Sequence, residues 1–222
     1  MARGKTKLDT LPLTNEGVLH RKKKSTLREY AEAIAIALFL ALFIRTFFVQ
    51  AFKIPSGSMM PTLQIGDHIL VNKFIYGFRI PYTKIRLLPF TKPKRGDVIV
   101  FVFPVDHRKD FIKRIIAVEG DVVEIRNKRI YINGSPLKDE HGYYSDPRVI
   151  PGSLDPRDNF GPVRVPKDHL FVMGDNRDNS RDSRYWGFVH VGMVKGKAFL
   201  IYYSWDRKRH RIRWSRIGDL IH

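Results

Sequence analysis

Apolar positions follow one pattern before residue 50 and another after it. Residues 33–44, AIAIALFLALFI, are twelve uncharged apolar positions in succession, behind the charged run RKKKSTLREYAE. From residue 67 on, short runs rich in Ile, Val and aromatic residues alternate with turn signals, the signature of strands. They are DHILVNK (67–73), VIVFVF (98–103), DFIKRIIAV (110–118), VVEIRNKRIYING (122–134), DHLFVMGD (168–175) and GKAFLIYYSW (196–205). Two strands of the fourth run join around Arg126-Asn127-Lys128, and Asn133-Gly134 closes it. Residues 141–162, HGYYSDPRVIPGSLDPRDNFGP, have no periodicity and read as a loop-rich excursion within an insertion spanning about 127–165. The expected fold is mainly β: an antiparallel, barrel-like domain over 51–222, behind a single N-terminal transmembrane helix over 31–50 and a basic tail over 1–30.

Twelve residues fall short of the roughly 20 that cross a hydrocarbon core, but counting through Arg45-Thr46 to Phe52 lengthens the segment. Arg and Lys crowd its N-terminal flank, so an anchor would leave the tail in the cytoplasm and the β domain outside. A cleaved secretory signal ending near Val49-Gln50-Ala51 is the first alternative, and a buried core helix the second.

Composition narrows the chemistry. The 222 residues contain no cysteine, which excludes disulfides, thiolate metal sites and cysteine nucleophiles. The net charge of +18 calls for an anionic partner. It is spread over Arg21–Lys24, 79–95 and Arg207–Arg211 without a nucleic-acid motif, so anionic lipid is expected and nucleic acid is not.

Residues 54–67, IPSGSMMPTLQIGD, place Ser56 and Ser58 between Pro55 and Pro61. A serine is a weak nucleophile until a base takes its proton, and no histidine is close in this stretch. A lysine can be that base if burial keeps it neutral. In a strand, Lys113 shares its face with Phe111 and Ile115, an odd place for a charge unless it has a task. The plainer alternative puts Lys113 at a strand end, reaching water. A third segment, GDNRDNSRDSRYWGFV (174–189), fails the calcium-loop spacing, having no glycine at the sixth position and three arginines. It reads either as a solvated loop or as a rigid turn held by internal ion pairs.

These segments, in this order behind an apolar helix, resemble bacterial type I signal peptidase, the membrane-bound Ser-Lys leader peptidase family. The resemblance runs from about Arg45 to Tyr203. It implies Ser58 as nucleophile, Lys113 as general base, Ser56 as an oxyanion-hole hydroxyl and Ser180 as the group that orients the lysine. It further implies a structural ion pair, Asp182 with Arg184, and shallow substrate pockets lined by Ile54, Met59, Leu63, Ile69, Val100 and Ile112. The implied activity is removal of signal peptides from exported preproteins after small residues, at the cell membrane, without metal or cofactor. Another Ser-Lys hydrolase, such as a self-cleaving repressor protease, is a rival; a Ser-His-Asp hydrolase using His68 or His107 lacks the G-x-S-x-G elbow. From a different class, the chain would be a non-catalytic basic protein anchored to the membrane.

Overall fold

The computed structural model describes residues 26–79, 86–87 and 91–222. The Arg21–Lys24 run and part of the 79–95 basic stretch lie outside the described residues. The chain divides into a unit ending at Leu40 and a unit from Ala41 onward. The first holds most of helix α1 (Thr26–Phe47). Arg28 donates to Glu32 one turn on, at 3.0 Å. With Arg28, Glu29 and Glu32 early and Arg45 late, the uninterrupted apolar run stays at twelve residues. Among the described residues no helix is long and apolar enough to cross a membrane, so the expected transmembrane helix over 31–50 is not borne out.

The second unit is built from β1 (Val49–Lys53), β2 (Asp67–Asn72), β3 (Phe78–Arg79), β4 (Arg86–Leu87), β5 (Val98–Val102), β6 (Asp110–Val118) and β7 (Val122–Arg126). Then follow β8 (Arg129–Ile132), β9 (Ser135–Pro136), β10 (Phe160–Arg164), β11 (His169–Met173), β12 (Val189–His190), β13 (Val194–Asp206) and β14 (Arg211–Ile212). A four-residue helix, α2 (Ser183–Trp186), precedes β12. The strand pairings are antiparallel, as expected.

The main sheet runs β1-β2-β13-β5-β6-β11-β12, with β14 on β13. Its two end strands do not pair among the described residues, so no closed barrel forms there. A smaller sheet, β10-β7-β8-β9, draws β8, β9 and β10 from the segment expected as an insertion, and among the described residues no strand lies between β9 and β10. Asn127 and Lys128 both have positive φ, 48° and 70°, which is the tight hairpin turn whose twist matches its strands.

Burial alternates in β2, while β5 and β11 are buried at consecutive positions on both faces. In β2, Asp67, Ile69 and Val71 are buried while the residues between them are half-buried. Three apolar clusters result. The one that matters for the site gathers Ile54, Met59, Leu63, Ile69, Val71, Val98 and Val100 with Ile201 and Ile221.

Candidate active site

The turn that follows β1 carries Ser58. Its backbone closes on itself: Met60 N–H donates to Gly57 O at 3.1 Å and Leu63 N–H to Met59 O at 2.8 Å. Met59 and Leu63 are fully buried and fix the turn to the first apolar cluster. From the other side, Asn176 holds it twice, backbone N–H to Ser58 O at 3.1 Å and side-chain Nδ2 to Gly57 O at 3.1 Å. Ser56 is exposed and its hydroxyl has no hydrogen bond among the described residues.

Lys113 lies mid-strand in β6, opposite Ile99 of β5. It is 4% exposed, so it does not reach water as a strand-end lysine would. Its Nζ donates to Ser58 Oγ at 2.7 Å and sits 5.6 Å from the centre of the Phe111 ring. Burial pulls its pKa down from 10.5 to about 8. Asp182 and Asp175 act to raise it and Arg184 to lower it, but loss of hydration is the larger effect. An amine with such a pKa spends an appreciable fraction of its time neutral, when it accepts rather than donates at the same 2.7 Å.

The 174–184 segment forms the wall behind this pair. Asp182 caps α2 and accepts from Gly174 N–H at 3.1 Å. Arg184 grips it through Nε at 2.8 Å and Nη2 at 2.9 Å, and Arg184 also donates to the main-chain oxygens of Arg157 and Arg177. A guanidinium with this many acceptors stays charged and rigid, which turns an apparently solvated loop into a buried frame. Ser180 Oγ is buried with no hydrogen-bond partner among the described residues. The bond from Ser180 to Lys113 that the resemblance implies is therefore not made in this arrangement.

Sequence reasoning passed over Arg114 and Asp175. They form a bidentate pair at 2.8 and 2.7 Å, with side chains 3% and 0% exposed. Thr62 Oγ1 donates to the same carboxylate at 2.6 Å, and Arg114 Nη1 donates to the main-chain oxygens of Gly96 and His222. The pair thus ties the serine turn, β6 and the 174–184 segment together. Truncating one partner of such a pair typically costs about 3–5 kcal/mol because the other is left charged and dry. The available signal was Arg114 itself, a guanidinium among buried isoleucines.

Ile54, Met59, Leu63, Ile69 and Val100 are all in the apolar cluster under the serine turn, and Ile112 packs against it. Neither His68 nor His107 bonds to Ser58. Among the described residues there is no group of three or more His, Asp or Glu placed to hold a metal ion.

Residues 27–205 match the family model described as signal peptidase, peptidase S26. The chain is 38% identical to "Signal peptidase I" of Pseudomonas fluorescens, over 88% of this chain and 80% of that protein. It is 36% identical to "Signal peptidase I" of Aquifex aeolicus, over 80% of this chain and 85% of that protein. A crystal structure of a signal peptidase I from Enterococcus faecalis V583 is 34% identical, covering 48% of this chain and 97% of that one, with a TM-score of 0.39.

Proposed function

The chain belongs to the signal peptidase family, peptidase S26, and we propose that it removes signal peptides from exported preproteins with Ser58 as nucleophile and Lys113 as general base. The observation that carries the residue assignment is the 2.7 Å contact between a buried amine and a serine hydroxyl. Neutral Lys113 takes the proton from Ser58 Oγ as the oxygen attacks the carbonyl carbon at the cleavage site. Ser58 N–H and the open hydroxyl of Ser56 meet the negative charge that develops on the carbonyl oxygen. The lysine ammonium then gives its proton to the departing amine, leaving an ester on Ser58. A water, deprotonated by the same lysine, attacks that ester, and the serine recovers its proton when the acid leaves.

Ile54, Met59, Leu63, Ile69 and Val100 are buried beneath the serine turn with Ile112 packed against them, and on this reading they back shallow apolar walls for the substrate residues before the cut. Such walls accept alanine-sized residues and exclude larger ones by overlap. The reaction needs the unprotonated lysine, so the sign of its pH dependence is fixed. Below about pH 8, kcat/KM falls close to tenfold per unit, and above it reaches a plateau. Rates on a synthetic peptide substrate across that range check this, and a flat profile rejects a lysine base.

We place the protein at the cell membrane with α1 in contact with lipid. Ile34, Ile36, Leu38, Phe39 and Leu42 are each more than half exposed, and Leu40 is 50% exposed. A helix apolar on all sides is costly to leave in water. The protein is therefore expected to stay with membranes through an alkaline carbonate wash, and to be released when residues 26–47 are deleted. Retention of the deleted form would refute a role for α1 in attachment.

A further inference from the structure

The register of three strands places Lys53 of β1 opposite His68 of β2, and His68 opposite Tyr203 of β13. One step along, Phe52, Ile69 and Ile201 form the equivalent row and turn into the apolar cluster beneath the serine. Lys53, His68 and Tyr203 consequently occupy the other face of the sheet. There they line a cavity of about 320 Å³ with Gly66, Trp205 and Arg207. No carboxylate lines it. Among the described residues neither Lys53 nor Arg207 has an ion-pair partner, and His68 Nδ1 donates to Gly66 O at 3.2 Å.

The cavity is rigid. Gly66 has φ of +94°, and a Cβ there would run into the main-chain oxygen of Trp205. Trp205 N–H donates to Gly66 O at 3.1 Å, and Arg213 Nη2 donates to Ile65 O and to Trp205 O. Beside it the Asp206–Arg211 turn carries Lys208, Arg209 and Arg211, while Asp206 accepts from the N–H groups of Lys208 and Arg209. Cations without an ion-pair partner among the described residues, lining one cavity with an indole and a phenol, match an anion attached to a small organic group. They do not match an apolar ligand.

We infer that this cavity binds the phosphodiester headgroup of an anionic phospholipid. The choice of a lipid over another anion rests on the proposed membrane location; the anion chemistry does not depend on the peptidase assignment. Two observations favour lipid. Lys53 is six residues beyond the end of α1, so the chain cannot carry it more than about 20 Å from that end. Tyr202 and Trp214, 40% and 73% exposed, flank the cavity in sequence, and such aromatics favour the boundary between headgroups and acyl chains.

The test is calorimetric titration of the full chain, in uncharged detergent, with glycerophosphoglycerol, glycerophosphocholine, inorganic phosphate and a short acidic peptide. Glycerophosphoglycerol is expected to bind saturably, at one site, and more tightly than the other three probes. Lys53→Gln or Arg207→Gln should each weaken it about tenfold, the loss of one charge-assisted contact. Lys208→Gln with Arg209→Gln should leave it within about twofold, since neither side chain lines the cavity and an exposed charge without a direct contact counts for little. Each variant should cleave a soluble peptide at the parent rate, which shows that the fold is intact and separates this outcome from any failure of the peptidase assignment. Equal weakening by the Lys208 and Arg209 changes, phosphate binding as tight as the headgroup, or preferred binding of the acidic peptide would each overturn the assignment.

Discussion

Ser58→Ala and Lys113→Met are each expected to lower preprotein cleavage by at least about 10⁴-fold, and the double variant to be no slower than either alone. The reason is that neither group acts without the other: a serine without a base is nearly inert, and an amine without a nucleophile has no proton to take. The lysine variant carries a second, opposite consequence. Its folded pKa is about 8 against 10.5, so the charged form is disfavoured in the fold relative to the unfolded chain. Below pH 8 both states hold the proton and the fold bears the whole penalty, about 3 kcal/mol. Between pH 8 and 10.5 only the unfolded chain binds the proton, and stability rises with pH. Lys113→Met should therefore be inactive and, at pH 7, more resistant to urea than the parent. Cleavage by the variant near the parental rate would reject the assignment, and a loss of stability would show that the burial penalty is misplaced.

Gly174→Ala should cost about 100-fold in kcat with a smaller change in KM. A Cβ at Gly174 would meet the main-chain oxygen of Ser58 and the Oγ of Ser180, with Ser180 Cβ at 2.7 Å. The Ser180 hydroxyl can rotate, but Ser58 O is main chain and Ser180 Cβ moves only with its backbone, so the serine turn itself has to move, and a displacement of about 1 Å at a reacting group is worth about 10² in rate. Gly134 has φ of +81° with nothing within 4 Å of a Cβ, so Gly134→Ala supplies the contrast. It should lower stability by about 1 kcal/mol and leave kcat alone. Kinetics and urea curves on the two variants separate crowding at the serine from ordinary turn strain. Equal kcat in Gly174→Ala and the parent would show that the wall does not position Ser58.

Strands of five or more residues rich in β-branched and aromatic side chains were legible, whether they alternate as β2 does or run continuously apolar as β5 does. β2, β5, β6, β11 and β13 start and end within two residues of the runs read from sequence. β1 was not, because Val49–Lys53 directly follows an apolar helix and continues its hydrophobic run. β10 was hidden by Gly161-Pro162, which reads as a turn; a proline fits there because β10 is the edge of its sheet. The open main sheet could not be told from a barrel by strand count, since closure depends on whether the two end strands meet. At the site, Ser58 and Lys113 stood out as polar groups among apolar neighbours, and the structure brings them into contact. The partnership of Arg114 with Asp175 did not, because Asp175 lies among five other charges in 174–184 and nothing local says which one turns inward. Ser180 is near the wall, but its hydroxyl points to no partner among the described residues, a detail of rotamer that sequence cannot carry.

The decisive measurement is a direct titration of the Lys113 side chain in the full-length protein, by NMR on isotopically labelled lysine with Lys113→Met as the blank for assignment. A buried, serine-contacting amine should lose its proton near pH 8, together with the rise in cleavage rate. Titration near 10.5, with the rate rising independently at lower pH, would mean that some other group takes the proton from Ser58.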